Sequence, residues 1–288
     1  MEHTASDVNC LVDKKAILIV SFGTTYLDTL KLSIESTEDK IRAYFPNYEI
    51  RRAFTSRFVI KKLAERDGIH IDTEKQALER LQAEGYKVVF IQPLHVVAAE
   101  EYKKLRKVSV HFAHAKVFDK ITLGRPLLYY MGLKGKPDDY LIAIKAVETQ
   151  VPKLGHNEAI VLMGHGGVHP ANTAYAALQM KLEEAGLGNV FVCTVEGFPS
   201  LDSIIGKLKS KKVKKVTLMP FMLVAGDHAH KDMAGDDEDS AKSILNKAGF
   251  DVDLYFHGLG ENIAIQGIYV QHLQDAVDQL ALHQAKKV

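Results

Sequence analysis

The sequence predicts an α/β fold of two similar doubly wound lobes, each a parallel sheet flanked by helices, with a cleft between them. Three observations carry this. Short β-branched apolar runs alternate with longer segments of helical period, as in βα units whose strands are covered on both faces. A segment occurs twice: Lys87–Glu101 (KVVFIQPLHVVAAEE) returns, loosely, as Lys215–His228 (KVTLMPFMLVAGDH), and counting from the prolines sets Glu101 opposite His228. A second pair follows in the same order, Lys14–Thr25 (KKAILIVSFGTT) with Asn157–Val168 (NEAIVLMGHGGV), which sets Phe22 opposite His165.

In the first half, Ala16–Phe22 reads as a buried strand and Thr29–Phe45 as a helix ended by Pro46. A strand at Glu49–Thr55 is followed by helical stretches at Ser56–Arg66 and Thr73–Gly85. Lys87–Gln92 is the third strand, leading through a loop to a helix near Glu101–Lys116 and a strand at Lys120–Leu123. Asp138–Gln150 is a helix leading out of this half. The second half repeats the order, with strands at Ala159–Met163, Val190–Val195, Val213–Met219 and Val252–Phe256. Helices are predicted at Ala171–Ala185, Ser200–Lys209, Ser240–Ala248 and Ile263–His283, and Tyr175, Leu178 and Leu182 have the spacing of a core-facing stripe. Gly, Pro and Lys cluster around Gly132–Pro137, so the expected organisation is a tail over 1–13, a lobe over 14–135 and a lobe over 136–288.

With 25% charged and 47% hydrophobic residues the chain has the mix of a soluble globular protein. A formal net charge of +1 gives no global attraction to nucleic acid or an anionic membrane, and neither is expected as a partner. The apolar runs are strand-length, short of a membrane span. No signal peptide is visible in Met1–Asp13, and Cys10 and Cys193 form no disulfide framework, so a cytoplasmic location is expected, or a periplasmic one if a leader has been removed.

The chemistry gathers at strand ends. Gly164-His165-Gly166-Gly167 ends a buried strand, and its glycines allow close approach of backbone or ligand; it lacks the lysine and spacing of a phosphate loop. Glu196 follows the next strand, placed as a site residue or as a cap for the next helix. His228 follows the third, while His230 either supports a site residue from behind or stands in solvent, the second being the preferred reading. Two imidazoles and a carboxylate on one rim suit a divalent first-row metal and leave coordination positions open, which implies catalysis or transfer. The run Gly235–Ser240 lacks EF-hand spacing and reads as a solvated helix cap. Arg51, Arg52, Arg57, Lys61 and Lys62 are either a site for substrate carboxylates or a solvated face. Ser21 and Thr24 lie in a turn able to offer hydroxyl and N–H donors, and His95 lies on the loop equivalent to that of His228, facing the cleft or a partner subunit.

SFGTT (21–25), RAFTS (52–56), MGHG (163–166), MPFMLVAGDHA (219–229) and GLGEN (258–262) resemble the anaerobic sirohydrochlorin cobaltochelatase family, within the wider class that includes ferrochelatase. The resemblance runs from about Lys14 to His272 without large gaps. It implies a chelatase-like fold with the active site in the cleft, and ATP-independent insertion of Co2+ into an anionic tetrapyrrole on the route to cobalamin. By motif, the metal ligands fall on His165, Glu196 and His228, and the acidic residue of the first-half loop on Glu101. Alternatives are Fe2+ or Ni2+ as the substrate metal, or a two-lobed carrier of metal or haem. Some members of the family bind haem between subunits through a histidine, for which His95 is the candidate here, so a homo-oligomer is a further expectation.

Overall fold

In the computed structural model, residues 14–151 and 153–285 are described; the predicted tail over 1–13, with Cys10, lies outside them. The first half runs β1 (Lys15–Ser21), α1 (Leu27–Thr29), a π-helical turn at Leu30–Glu35, α2 (Ser36–Tyr44), β2 (Glu49–Phe54), α3 (Arg57–Asp67), α4 (Glu74–Ala83), β3 (Val88–Pro93), α5 (Glu100–His114) and β4 (Lys120–Leu123). After α6 (Asp139–Glu148) the second half runs β5 (Glu158–Gly166), α7 (Ala174–Glu184), β6 (Val190–Glu196), α8 (Leu201–Ser210) and β7 (Lys215–Pro220). A π-helical turn at Ala229–Met233, α9 (Ala241–Lys247), β8 (Asp251–Leu254) and α10 (Ile263–Ala285) complete it.

The described strands form two four-stranded parallel sheets, ordered β2-β1-β3-β4 and β6-β5-β7-β8. The internal repeat is therefore a repeat of topology, and it holds to the residue. Val20 lies beside Pro93 in the first sheet and Met163 beside Pro220 in the second. Just beyond each proline, Leu94 donates its N–H to the Val20 carbonyl at 2.8 Å and Phe221 to that of Met163 at 2.7 Å.

Strand alternation divides the apolar side chains between three cores. Ala16, Leu18 and Val20 face the outer core of the first sheet; Ala159, Val161 and Met163 face that of the second. Ile17, Ile19, Ile160 and Leu162 point the other way, into one continuous core that also takes in Tyr140, Ile144, Ile265, Tyr269 and Leu273 from α6 and α10. The sheets thus pack on shared helices. α10 contacts α2, β3 and β4 as well as α6, so a helix of the second half covers the first sheet.

Two features depart from the simple βα reading. The helix expected over Thr29–Phe45 is interrupted by the π turn at Leu30–Glu35, and a second π turn follows His228. Strands β5 and β6 extend to Gly166 and Glu196, so His165 and Glu196 end strands rather than begin loops. The extension depends on Gly166, whose φ is +82° and where an added Cβ would sit 1.7 Å from the Glu196 carbonyl oxygen. No side chain fits there.

Candidate active site

The carboxyl ends of β5 and β6 and the loop that follows β7 carry His165, Glu196 and His228 to one rim of the second sheet. The structure brings the two histidines together, with ring centroids 4.4 Å apart at 83°. Below them Gly164 leaves room for the Tyr175 ring of α7, which an added Cβ would meet at 2.2 Å, so the His165 turn rests directly on that buried tyrosine.

Each imidazole is held at Nδ1. That of His165 lies 3.2 Å from the Gly166 carbonyl oxygen and that of His228 lies 2.7 Å from Asp232 Oδ2. A carbonyl and a carboxylate only accept, so Nδ1 is the donor in each bond, and Nε2, which has no partner among the described residues, is the atom that a neutral ring offers as a ligand. His165 is exposed and the His228 side chain 37% exposed, so an incoming partner has access.

Glu196 does not complete the set. It pairs in register with Gly166, one position beyond His165, and strand alternation directs the two side chains to opposite faces. Among the described residues no three His, Cys, Asp or Glu side chains converge as a ready metal site. Glu196 is exposed, which leaves its side chain room to turn over the strand end.

The first lobe reaches this rim through Tyr26. Its ring stacks on His230 at 4.7 Å and 11°, and its hydroxyl donates to Asp227 Oδ1 at 3.2 Å. Partial burial and the Asp227 carboxylate raise the Tyr26 pKa, which keeps the hydroxyl a donor. His230, expected to stand free in solvent, is exposed but lies between Tyr26 and Phe256, whose ring is 4.5 Å away. Sequence reasoning missed Tyr26 and Asp232. The second left a signal, since it stands four residues after His228 on a helical turn.

Glu101 is the second residue of α5 and bonds Lys104 at 2.8 Å. Burial alone would raise its pKa; the Lys104 ammonium, with the Thr55 hydroxyl, outweighs that and holds it below the usual carboxylate value. Three of the four residues expected to meet substrate are placed otherwise. Ser21 and Thr24 are buried, and the Thr24 hydroxyl accepts from the Tyr26 N–H at 3.2 Å. Both ring nitrogens of His95 are shut off from solvent without a hydrogen-bond partner, and burial lowers its pKa to about 4. They present no open nitrogen to a haem from another subunit. Arg57, 57% exposed, donates to both oxygens of Glu74 at 3.0 and 3.1 Å. Of the rest of the basic cluster, Arg51 pairs with Glu49 and Glu84, Arg52 with Glu35 and Glu38 and Lys61 with Glu65, while Lys62 lies over the Phe58 ring, 5.7 Å from its centroid. In the acidic run, Ser240 caps α9 while Asp236 and Glu238 pair with Lys242 and Lys247.

The family model described as cobalt chelatase (CbiK) matches residues 15–278. The chain belongs to the CbiK family. A curated sirohydrochlorin cobaltochelatase from Salmonella typhimurium is 44% identical over 266 residues, 92% of this chain and 97% of the relative. The sirohydrochlorin cobaltochelatase CbiKC of Nitratidesulfovibrio vulgaris is 33% identical over 270 residues, 93% and 92% of the two chains. Among solved structures, SirB from Bacillus subtilis with Fe3+ superposes with a TM-score of 0.60 at 15% identity, covering 93% of this chain and 98% of that one. CbiX, the terminal enzyme for biosynthesis of siroheme in denitrifying bacteria, gives 0.50 at 16% identity, covering 91% and 99%. At these identities the two structures establish the two-lobed fold alone. Among the described residues no helix is long and apolar enough to cross a membrane.

Proposed function

We propose that this chain is a sirohydrochlorin cobaltochelatase, inserting Co2+ into the tetrapyrrole with release of two protons and no ATP. The observation that carries the reading is the His165–His228 pair, two imidazoles in contact with both Nε2 atoms free, at the strand ends of a CbiK-family chain. Insertion exchanges two pyrrole N–H protons for one divalent cation. The protein must therefore hold Co2+ loosely, present it to the macrocycle and accept protons. His165 and His228 supply two neutral nitrogen ligands, and Glu196, turned over the end of β6, a third and anionic one. Three protein ligands leave positions open for the pyrrole nitrogens. Glu101, in the first turn of α5 in the other lobe, is the proposed proton acceptor, a carboxylate that is ionised and so able to take a proton.

Ligand type alone does not choose the metal, because affinities for nitrogen and oxygen sites rise from Fe2+ through Co2+ to Ni2+. The choice of cobalt rests on the relatives. Anaerobic incubation with sirohydrochlorin and, separately, Co2+, Fe2+ and Ni2+, followed by absorbance, tests both points. Fastest conversion with Co2+ is expected. Bound metal with no metallated tetrapyrrole marks a carrier, and faster insertion of Fe2+ or Ni2+ reassigns the substrate metal.

A further inference from the structure

Asp232 lies on the π turn after His228, and among the described residues its carboxylate has one hydrogen-bond partner, His228 Nδ1 at 2.7 Å. It caps no helix and pairs with no Lys or Arg among those residues. A carboxylate with no evident part in the fold is directed at one imidazole. The same half holds a useful contrast. His257 Nδ1 lies 2.7 Å from Glu261 Oε2, again four residues apart, but Glu261 also accepts the Gly258 N–H through Oε1 at 3.0 Å, fastening the turn into α10. Glu261 has a structural task; Asp232 has its histidine.

We propose that Asp232 is a positioning residue for the substrate metal: it fixes His228 as the Nδ1–H tautomer and turns the Nε2 lone pair toward an incoming divalent cation. This rests on the reading of His228 as a ligand. A neutral imidazole has one proton for two nitrogens, and an Nε2–H ring cannot bind metal through Nε2. The carboxylate also polarises the Nδ1–H bond and makes Nε2 a stronger donor to the metal. His165 is held by a neutral carbonyl at the longer distance of 3.2 Å, so the pair is unequal, with His228 the firmer ligand.

The test uses the full chain and CoCl2 without tetrapyrrole. Nitrogen-15 NMR of the metal-free protein, with His228 assigned by loss of its signals in His228→Ala, should show the Nδ1–H tautomer in the wild type. In Asp232→Ala the Nε2–H form should grow and the Co2+ dissociation constant rise about 10- to 100-fold. The melting midpoint should hold, because the side chain is exposed. Asp232→Glu should restore most of the affinity, and Glu261→Gln should leave it unchanged. An Asp232→Ala protein that keeps the Nδ1–H form, or binds Co2+ within threefold of wild type while His228→Ala loses it, overturns the proposal. If His228→Ala itself binds Co2+ as the wild type does, the ligand reading of His228 fails and takes this inference with it.

Discussion

The two lobes have one topology and one register, yet one of them carries nearly all the candidate metal chemistry. Aligned through their sheets, His165, Glu196 and His228 of the second lobe stand where the first has Phe22, Ser56 and Glu101. The middle position shows how a scaffold is made into a site. Ser56 accepts the Val59 N–H as the N-cap of α3, so the helix begins as soon as the strand ends. In the second lobe the cap of α8 is Ser200, and three residues, Gly197, Phe198 and Pro199, separate it from Glu196. That interval takes the carboxylate out of helix capping and leaves it exposed. Phe22 is an apolar ring, 50% exposed, opposite an imidazole. The first lobe thus offers a surface and one acid, the second a set of ligands.

His165→Phe makes the lobes alike at the first position. Insertion should fall at least about 100-fold, since a ligand is removed, with a melting midpoint near wild type because the side chain is exposed; His228→Ala should behave similarly. Steady-state turnover and calorimetry check this, and near wild-type turnover would end the ligand assignment. Next in size, Glu196→Ser copies the first lobe. Co2+ affinity should drop about tenfold or more, as a neutral hydroxyl replaces a carboxylate, and a crystal soaked in Co2+ should show anomalous signal beside Glu196 in the parent protein only.

Glu101→Ala probes the opposite side of the comparison. Turnover should fall about 10²- to 10⁴-fold, the range for a lost proton acceptor, while Co2+ affinity stays within a few-fold. Affinity and turnover falling together would make Glu101 a ligand and end the division of labour. The smallest effect concerns His95 beside it. Its folded pKa of about 4 lies below the ordinary 6.5, so the unfolded chain binds more protons between these values. Stability is then complete above pH 6.5 and is lost as pH falls toward 4. His95→Gln should flatten urea-derived stability across pH 6.5–4.5 by up to about 1.4 kcal/mol per pH unit. Glu101, also lowered, shifts in the same direction but only at the acid end, so it does not mask the change. An unchanged slope would mean that the His95 ring is hydrated.

The fold was legible because both sheets are apolar on both faces, which needs only composition and period to detect. The strand ends were legible for the same reason: His165, Glu196 and His228 each stand where an apolar run stops. What could not be read depends on side-chain direction. Ser21 and Thr24 sit in a turn that reads as open, but packing encloses them. Arg57 had an unseen carboxylate partner in Glu74, 17 residues away. The pleat that separates Glu196 from His165 is set by register at Gly166, and sequence gives no register between β5 and β6.

The return of α10 to the first sheet has a consequence for how the chain is made. Tyr269, fully buried in the shared core, donates its hydroxyl to the Leu94 carbonyl at 3.1 Å across 175 residues of sequence. At roughly 5–20 residues per second, translation separates these two groups by about 9–35 s. Throughout that interval the nascent first sheet has the cover of its own half, including Ile34, Ile41 and Leu63, but lacks the part that α10 supplies through Ile265, Tyr269 and Leu273. The inner face of this lobe is complete only once α10 has been made, not when the first half has.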